Sequence, residues 1–288
     1  LDALDAIYHW TELIQSSPAA VEVSVHGAIG GAYRSQGITT LELRFNPMKR
    51  NRGGERDLDH IILAAIRGLD VASLEYRQVR AGLILMMDRT FTARQNEIIV
   101  EKAIRWAPRG VVGIDIAGPR PGGKRYDYAQ VQPMVEEARA AGLGVTIHVG
   151  EEGGEMGRAE IGEVLELLRP DRIGHGILAA GDDELMKELR EREVVLEICP
   201  TSNLLTKSLP DEDAVRDVFR TFVDHGVLFT IATDGPEMMR THLRDEFDLL
   251  LRVGALTQEE LAEANARGHE ASFVGGAHAG RPNTPVGR

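Results

Sequence analysis

Five positions in this sequence combine residue type and spacing in a way that suits chemistry on a small molecule. The run Val145-Thr146-Ile147-His148-Val149-Gly150-Glu151-Glu152 closes a short apolar stretch on a histidine, and a carboxylate follows three residues later in a glycine-loosened loop. The imidazole of His148 could bind a divalent metal, and Glu151 could manage protons on a metal-bound water. A capped strand end gives the same spacing with no chemistry. In Arg172-Ile173-Gly174-His175-Gly176 a histidine sits between glycines. There it could orient or deprotonate a water, or stabilise an oxyanion. Asp234, in Thr233-Asp234-Gly235-Pro236, could ligate a metal and hold a water together. The small residues of Gly113-Ile114-Asp115-Ile116-Ala117-Gly118-Pro119 would let a substrate approach the backbone, where the N–H of Gly118 could donate to it. A tight strand-to-loop turn is the competing explanation.

These groups need elements to hold them. Apolar, β-branched runs predict strands at Thr40–Phe45, Ala81–Met87, Val111–Ile116, Gly144–His148, Arg172–His175, Val194–Ile198 and Leu228–Thr233. Amphipathic stretches between them predict helices over Leu58–Ala72, Gln95–Trp106, Tyr128–Ala141, Ile161–Leu168 and Asp182–Arg192. Residues 1–36 read as a helical lead-in broken at Ser16-Ser17-Pro18, and Gly275–Arg288 as a flexible tail. Strand-helix alternation implies parallel pairing with helices outside the sheet. Each candidate group then falls at the carboxyl end of a strand, where catalytic groups of such folds collect. Seven strands are one short of a closed (β/α)8 barrel, and an open sheet would leave the helical start unexplained. The expectation is a single barrel domain over residues 1–288 whose first strand lies upstream of Leu1.

Composition narrows the partners. A net charge of −12 disfavours nucleic acid and anionic membranes. Nothing resembles a membrane span or a signal peptide. The one cysteine, Cys199, rules out an intramolecular disulfide framework and fits a reducing cytoplasm. It also excludes a thiolate-rich zinc site, so any metal here uses histidine and carboxylate.

Four motifs in register carry a resemblance: His148-Val-Gly-Glu151, Arg172-Ile-Gly-His-Gly176, Cys199-Pro-Thr-Ser-Asn203 and Thr233-Asp234. With Glu42-Leu-Arg-Phe-Asn-Pro47 and Asp115-Ile-Ala-Gly118, they resemble the adenosine deaminase family of the amidohydrolase superfamily, from about Leu4 to Phe273. The resemblance implies a (β/α)8 TIM barrel with one zinc ion, His148 and Asp234 as metal ligands and Glu151 as the acid that protonates a purine ring nitrogen. It further implies that His175 orients and helps deprotonate the attacking water and that Gly118 is a backbone donor to another ring nitrogen. The reaction implied is deamination of a small-molecule purine, adenosine to inosine plus ammonia. An adenine or modified-adenine deaminase is the near alternative, and a catalytically silent barrel that binds a purine or a partner the distant one. Amide or ester cleavage fits less well, because the Glu151 and His175 pairing suits attack on an aromatic amidine carbon.

Two departures stand out. The family supplies two more ligands from a His-x-His, yet no two of the nine histidines here are two apart. Gly235 stands where the family usually carries a second aspartate, which removes an acceptor for the purine's imidazole edge and should loosen substrate discrimination. The basic run Met48–Arg56 could receive a phosphate or carboxylate on the substrate, or could be a solvated loop. Asp88-Arg89-Thr90 could rim the pocket, with a helix cap the commoner explanation, and Cys199–Asn203 reads as a polar turn shouldering the pocket.

Overall fold

Runs of Val, Ile and Leu bounded by glycine and charged residues form seven strands in the computed structural model, which describes residues 10–274. They are β1 (Thr40–Phe45), β2 (Arg80–Asp88), β3 (Val111–Ala117), β4 (Gly144–Val149), β5 (Arg172–His175), β6 (Val195–Ile198) and β7 (Phe229–Ile231). All pairings are parallel and the strand order is the chain order. Parallel strands cannot be joined by tight hairpins, so helices make the crossovers. They include Asp59–Glu75, Ala93–Trp106, Gln132–Ala140, Gly154–Leu167, Asp183–Glu191 and Glu212–His225. This is the α/β class with the repeating unit of a (β/α)8 barrel. Of the sequence expectations, residues 1–9 and the tail from 275 lie outside the described residues.

The chain divides into two compact units. One holds, among the described residues, 10–145 and 272–274. Its lead-in helix Pro18–Gln36 starts at Ser17, whose hydroxyl accepts from Ala20 N–H, and stops at Gly37 in the left-handed region. Ile61, Ile62, Ala65 and Ile66 on the next helix are fully buried, as are Leu83, Ile84 and Leu85 on β2. Each such Ile or Leu side chain contributes roughly 1.5–3 kcal/mol of burial. Glu42 on β1 accepts from Ser272 Oγ at 2.9 Å and from the Phe273 N–H at 2.5 Å. Phe273 thereby lies against Gly113 and Gly144.

The other unit holds Thr146–Ala271. Its strands are buried along almost their whole length because both faces are covered. Phe219, on Glu212–His225, meets Phe229 of β7 edge-to-face at 5.2 Å. A buried ion pair, Arg172 Nε to Glu197 Oε1 at 2.7 Å, joins β5 to β6, and Thr146 Oγ1 on β4 donates to the same carboxylate at 3.2 Å.

Cys199–Asn203 is not the polar turn expected of it. Pro200–Leu205 is a short helix with proline at its first position, where its fixed φ and missing N–H suit a helix start. Asp88 is not a helix cap either. The cap of Ala93–Trp106 is Thr92, in a reciprocal box with Gln95, while Asp88 takes the N–H and hydroxyl of Thr90. No described helix is long and apolar enough to cross a membrane.

Candidate active site

Strand ends in the Thr146–Ala271 unit gather four of the five expected residues. His148 is the penultimate residue of β4, and the only residue of that strand that is not buried. Gly174 on β5 pairs with it, and a Cβ there would sit 3.0 Å from the His148 ring, so the glycine gives the imidazole its place. His175 ends β5, 2% exposed, with its ring centroid 5.4 Å from that of His148. Glu151 lies just beyond β4, its Oε2 3.6 Å from His175 Nε2 and its Oε1 3.5 Å from the Ser208 hydroxyl. Asp234 follows β7 and is exposed.

Two of these residues hold unusual backbone. His175 has φ 63° and Asp234 φ 57°, the left-handed region that costs a non-glycine residue about 1–3 kcal/mol. Neighbouring contacts hold both there, and strain of this kind collects at functional sites.

The helix Pro200–Leu205 supplies two side chains that sequence reasoning did not assign. Ser202 Oγ donates to Asp234 Oδ2 at 2.8 Å, and the Asn203 carboxamide lies 3.0 Å from His175 Nδ1. Asn203 thus governs the imidazole tautomer. With its amide N–H donating, His175 carries its proton on Nε2, facing Glu151. With its oxygen turned inward, the proton sits on Nδ1 and Nε2 is bare. The signal for these residues was the proline after Cys199, which starts a helix and puts adjacent polar residues on it.

Glu246 in turn anchors that helix. Fully buried, it accepts from Thr201 N–H at 3.0 Å and from Thr241 Oγ1 at 2.7 Å. It therefore fastens the helix carrying Ser202 and Asn203 to Thr241, in the loop that leads from β7 to the helix Leu243–Arg252. Burial pushes its carboxyl up from the ordinary 4.5, against the pull of those donors. The folded chain then keeps this proton at pH values where the unfolded chain has lost it. The associated stability is complete below about 4.5 and declines as pH rises through the higher folded value. In Glu246→Gln this part of the pH dependence should vanish, and thermal unfolding of both proteins from pH 4 upward measures it. A curve identical to the native one would remove Glu246 as the titrating group.

Gly118 lies at the end of β3 in the other unit, part-exposed, with φ 89°. A Cβ there would meet the Asp88 carboxylate at 2.7 Å, and Arg89 Nη1 donates to the Gly118 carbonyl at 2.5 Å. Lys49 Nζ contacts Asp88 Oδ2 at 2.6 Å.

Among the described residues, no group of three or more His, Cys, Asp or Glu is placed to hold an ion. His148, His175 and Asp234 therefore do not fit a metal ion by themselves. Gly235 offers no side chain beside Asp234.

The family model described as Adenosine deaminase matches residues 2–279. An adenosine deaminase of Klebsiella pneumoniae is 30% identical over 240 residues, which are 83% of this chain and 68% of the relative. An adenine deaminase of Rhizobium rhizogenes is 33% identical over 207 residues, 70% of this chain and 61% of the relative. Among solved structures, an Arabidopsis N6-mAMP deaminase superposes with a TM-score of 0.78 at 26% identity, covering 94% of this chain and 79% of the other. A zinc-bound amidohydrolase of Burkholderia ambifaria has a TM-score of 0.78 at 21% identity, covering 90% and 70%, a likeness of fold.

Proposed function

Because the chain belongs to the adenosine deaminase family and is a hydrolase, we propose that it removes the amino group of an adenine-type purine, adenosine being the first substrate to test. The observation that carries this reading is the Glu151–His175–Asn203 series at the ends of β4 and β5 and on the helix after β6. It puts a carboxyl group that can give a proton beside an imidazole that can take one.

In this reading water bonds through its oxygen to the amino-bearing ring carbon and gives one proton to His175, while a ring nitrogen takes a proton from Glu151. The amino group then takes the proton held by His175, the C–N bond breaks to release ammonia, and the new hydroxyl returns its proton to Glu151 as it becomes the ring carbonyl. With the Asn203 carboxamide reversed from its placement in the structure, where Nδ2 faces Nδ1, its oxygen accepts from Nδ1–H and His175 Nε2 is bare to orient and deprotonate that water. Ser202 holds Asp234 in one orientation. Gly118 is the proposed backbone donor to a second ring nitrogen. One zinc ion is the proposed cofactor, with His148 and Asp234 as donors beside others that the described residues do not supply. Held there, zinc would supply an acidified water at neutral pH. The protein is proposed to act as one hydrolase domain in the cytoplasm, on a small molecule rather than on nucleic acid or membrane.

Gly235 favours a second reading within the same chemistry, deamination of adenine or of a modified adenine nucleoside. The Rhizobium and Arabidopsis relatives support it. The test is loss of purine absorbance with adenosine, adenine and N6-methyl-AMP, run beside metal analysis of the same preparation. Release of ammonia from adenosine or adenine, or of methylamine from N6-methyl-AMP, is expected, with zinc present and less of it retained by Asp234→Asn. Metal-loaded protein that leaves all three unchanged would overturn the proposal in favour of a silent purine-binding barrel.

A further inference from the structure

The loop after β1 contains two buried hydrogen-bond donors without a partner among the described residues. Asn46 is 3% exposed, and its Oδ1 accepts from Met48 N–H at 2.9 Å and Lys49 N–H at 3.0 Å. Those two bonds fix the carboxamide, because reversing it would set an NH2 against two N–H donors. Asn46 Nδ2 is left buried without a partner. Four residues on, where the Arg50 N–H closes the turn onto the Asn46 carbonyl at 3.3 Å, Arg50 Nη1 is likewise buried without a partner. Leaving such a donor unpaired costs about 1–3 kcal/mol, more for a charged group.

The acids nearby are committed elsewhere. Glu12 takes Arg52 at 3.3 Å and lies 3.8 Å from Lys49, which itself pairs with Asp88. Burial lowers the Arg50 guanidinium from its ordinary value, and Glu12 only partly opposes this. The loop is also braced, since the Asn51 side chain bonds both the N–H and the carbonyl of Glu55. Through Lys49 and Asp88 the same turn connects to Gly118, the proposed purine donor, within one unit.

We propose that the turn Asn46–Arg50 binds an anionic group, a carboxylate or a phosphate, carried by a purine nucleoside. The Arg50 fork and Asn46 Nδ2 supply charge-assisted hydrogen bonds to its oxygens, which a neutral nucleoside leaves unmade. Arg50 is only half-buried, so a small rotation of the side chain opens its fork to the ligand. The proposal rests on the deaminase reading for the purine half of the ligand alone.

Calorimetric titration of the whole chain with adenosine, adenosine 5′-monophosphate and adenosine 5′-carboxylic acid tests it. One anionic ligand should bind about 10- to 100-fold more tightly than adenosine, the value of one or two charge-assisted bonds. Which of them does so tells phosphate from carboxylate. Arg50→Met should abolish the preference. Should that variant misfold, Arg50→Lys keeps the charge without the fork and should reduce the preference. On the native chain, added inorganic phosphate should weaken the anionic ligand's binding more than adenosine's. Equal affinity for all three ligands, or a preference that survives in folded Arg50→Met, overturns the proposal. Deamination of adenosine without any anion preference defeats this inference alone. An anion preference without deamination defeats only the catalytic reading.

Discussion

Glu151→Gln is expected to lower purine deamination by about 10²- to 10⁴-fold, the range for removal of a general acid. Glutamine keeps the size of the side chain and an oxygen for the Ser208 hydroxyl, 3.5 Å away in the native chain. It has no proton to give a ring nitrogen. Glu151 is only partly buried, so a change of chemistry there should move stability by no more than about 0.5 kcal/mol. Turnover followed by purine absorbance, with unfolding followed by circular dichroism, separates the two effects. A folded variant with near-native turnover would show that the proton comes from another group. Substrate binding should survive the change, so the loss should fall on kcat rather than on KM.

Gly118→Ala is expected to cost stability and activity together. The backbone there has φ 89°, which only glycine adopts freely, and a Cβ would come within 2.7 Å of the buried Asp88 carboxylate. Strain and overpacking each cost about 1–3 kcal/mol. Asp88 also pairs with Lys49, so displacing it should loosen the loop after β1. Denaturant unfolding and the KM for the best substrate are the measurements. An unchanged midpoint with an unchanged KM would show that this turn neither packs on Asp88 nor meets the purine.

Much of this molecule is legible in one dimension because parallel strands buried on both faces must be written as short apolar runs. All seven expected strands are present, and their ends move by at most two residues. His148, Glu151, His175 and Asp234 could be placed at strand ends for the same reason, since a polar residue that closes an apolar run marks where the sheet meets its loops. Helix caps obeyed local chemistry too, as at Thr92 with Gln95 and Thr257 with Glu260.

The sequence by itself therefore determined the strand order, the family and the chemical types available at the strand ends. Tertiary structure decided which side chain sets the state of which other. Asn203 reaches His175 across 28 positions, Ser202 reaches Asp234 across 32, and Glu246 reaches Thr201 across 45. No local pattern encodes such pairs, because hydrogen bonds between different βα units depend on how the strands align side by side. The same holds at Asn46 and Arg50. Their charge and polarity are plain in the sequence, but only the folded loop buries a donor of each, with no acceptor for either among the described residues.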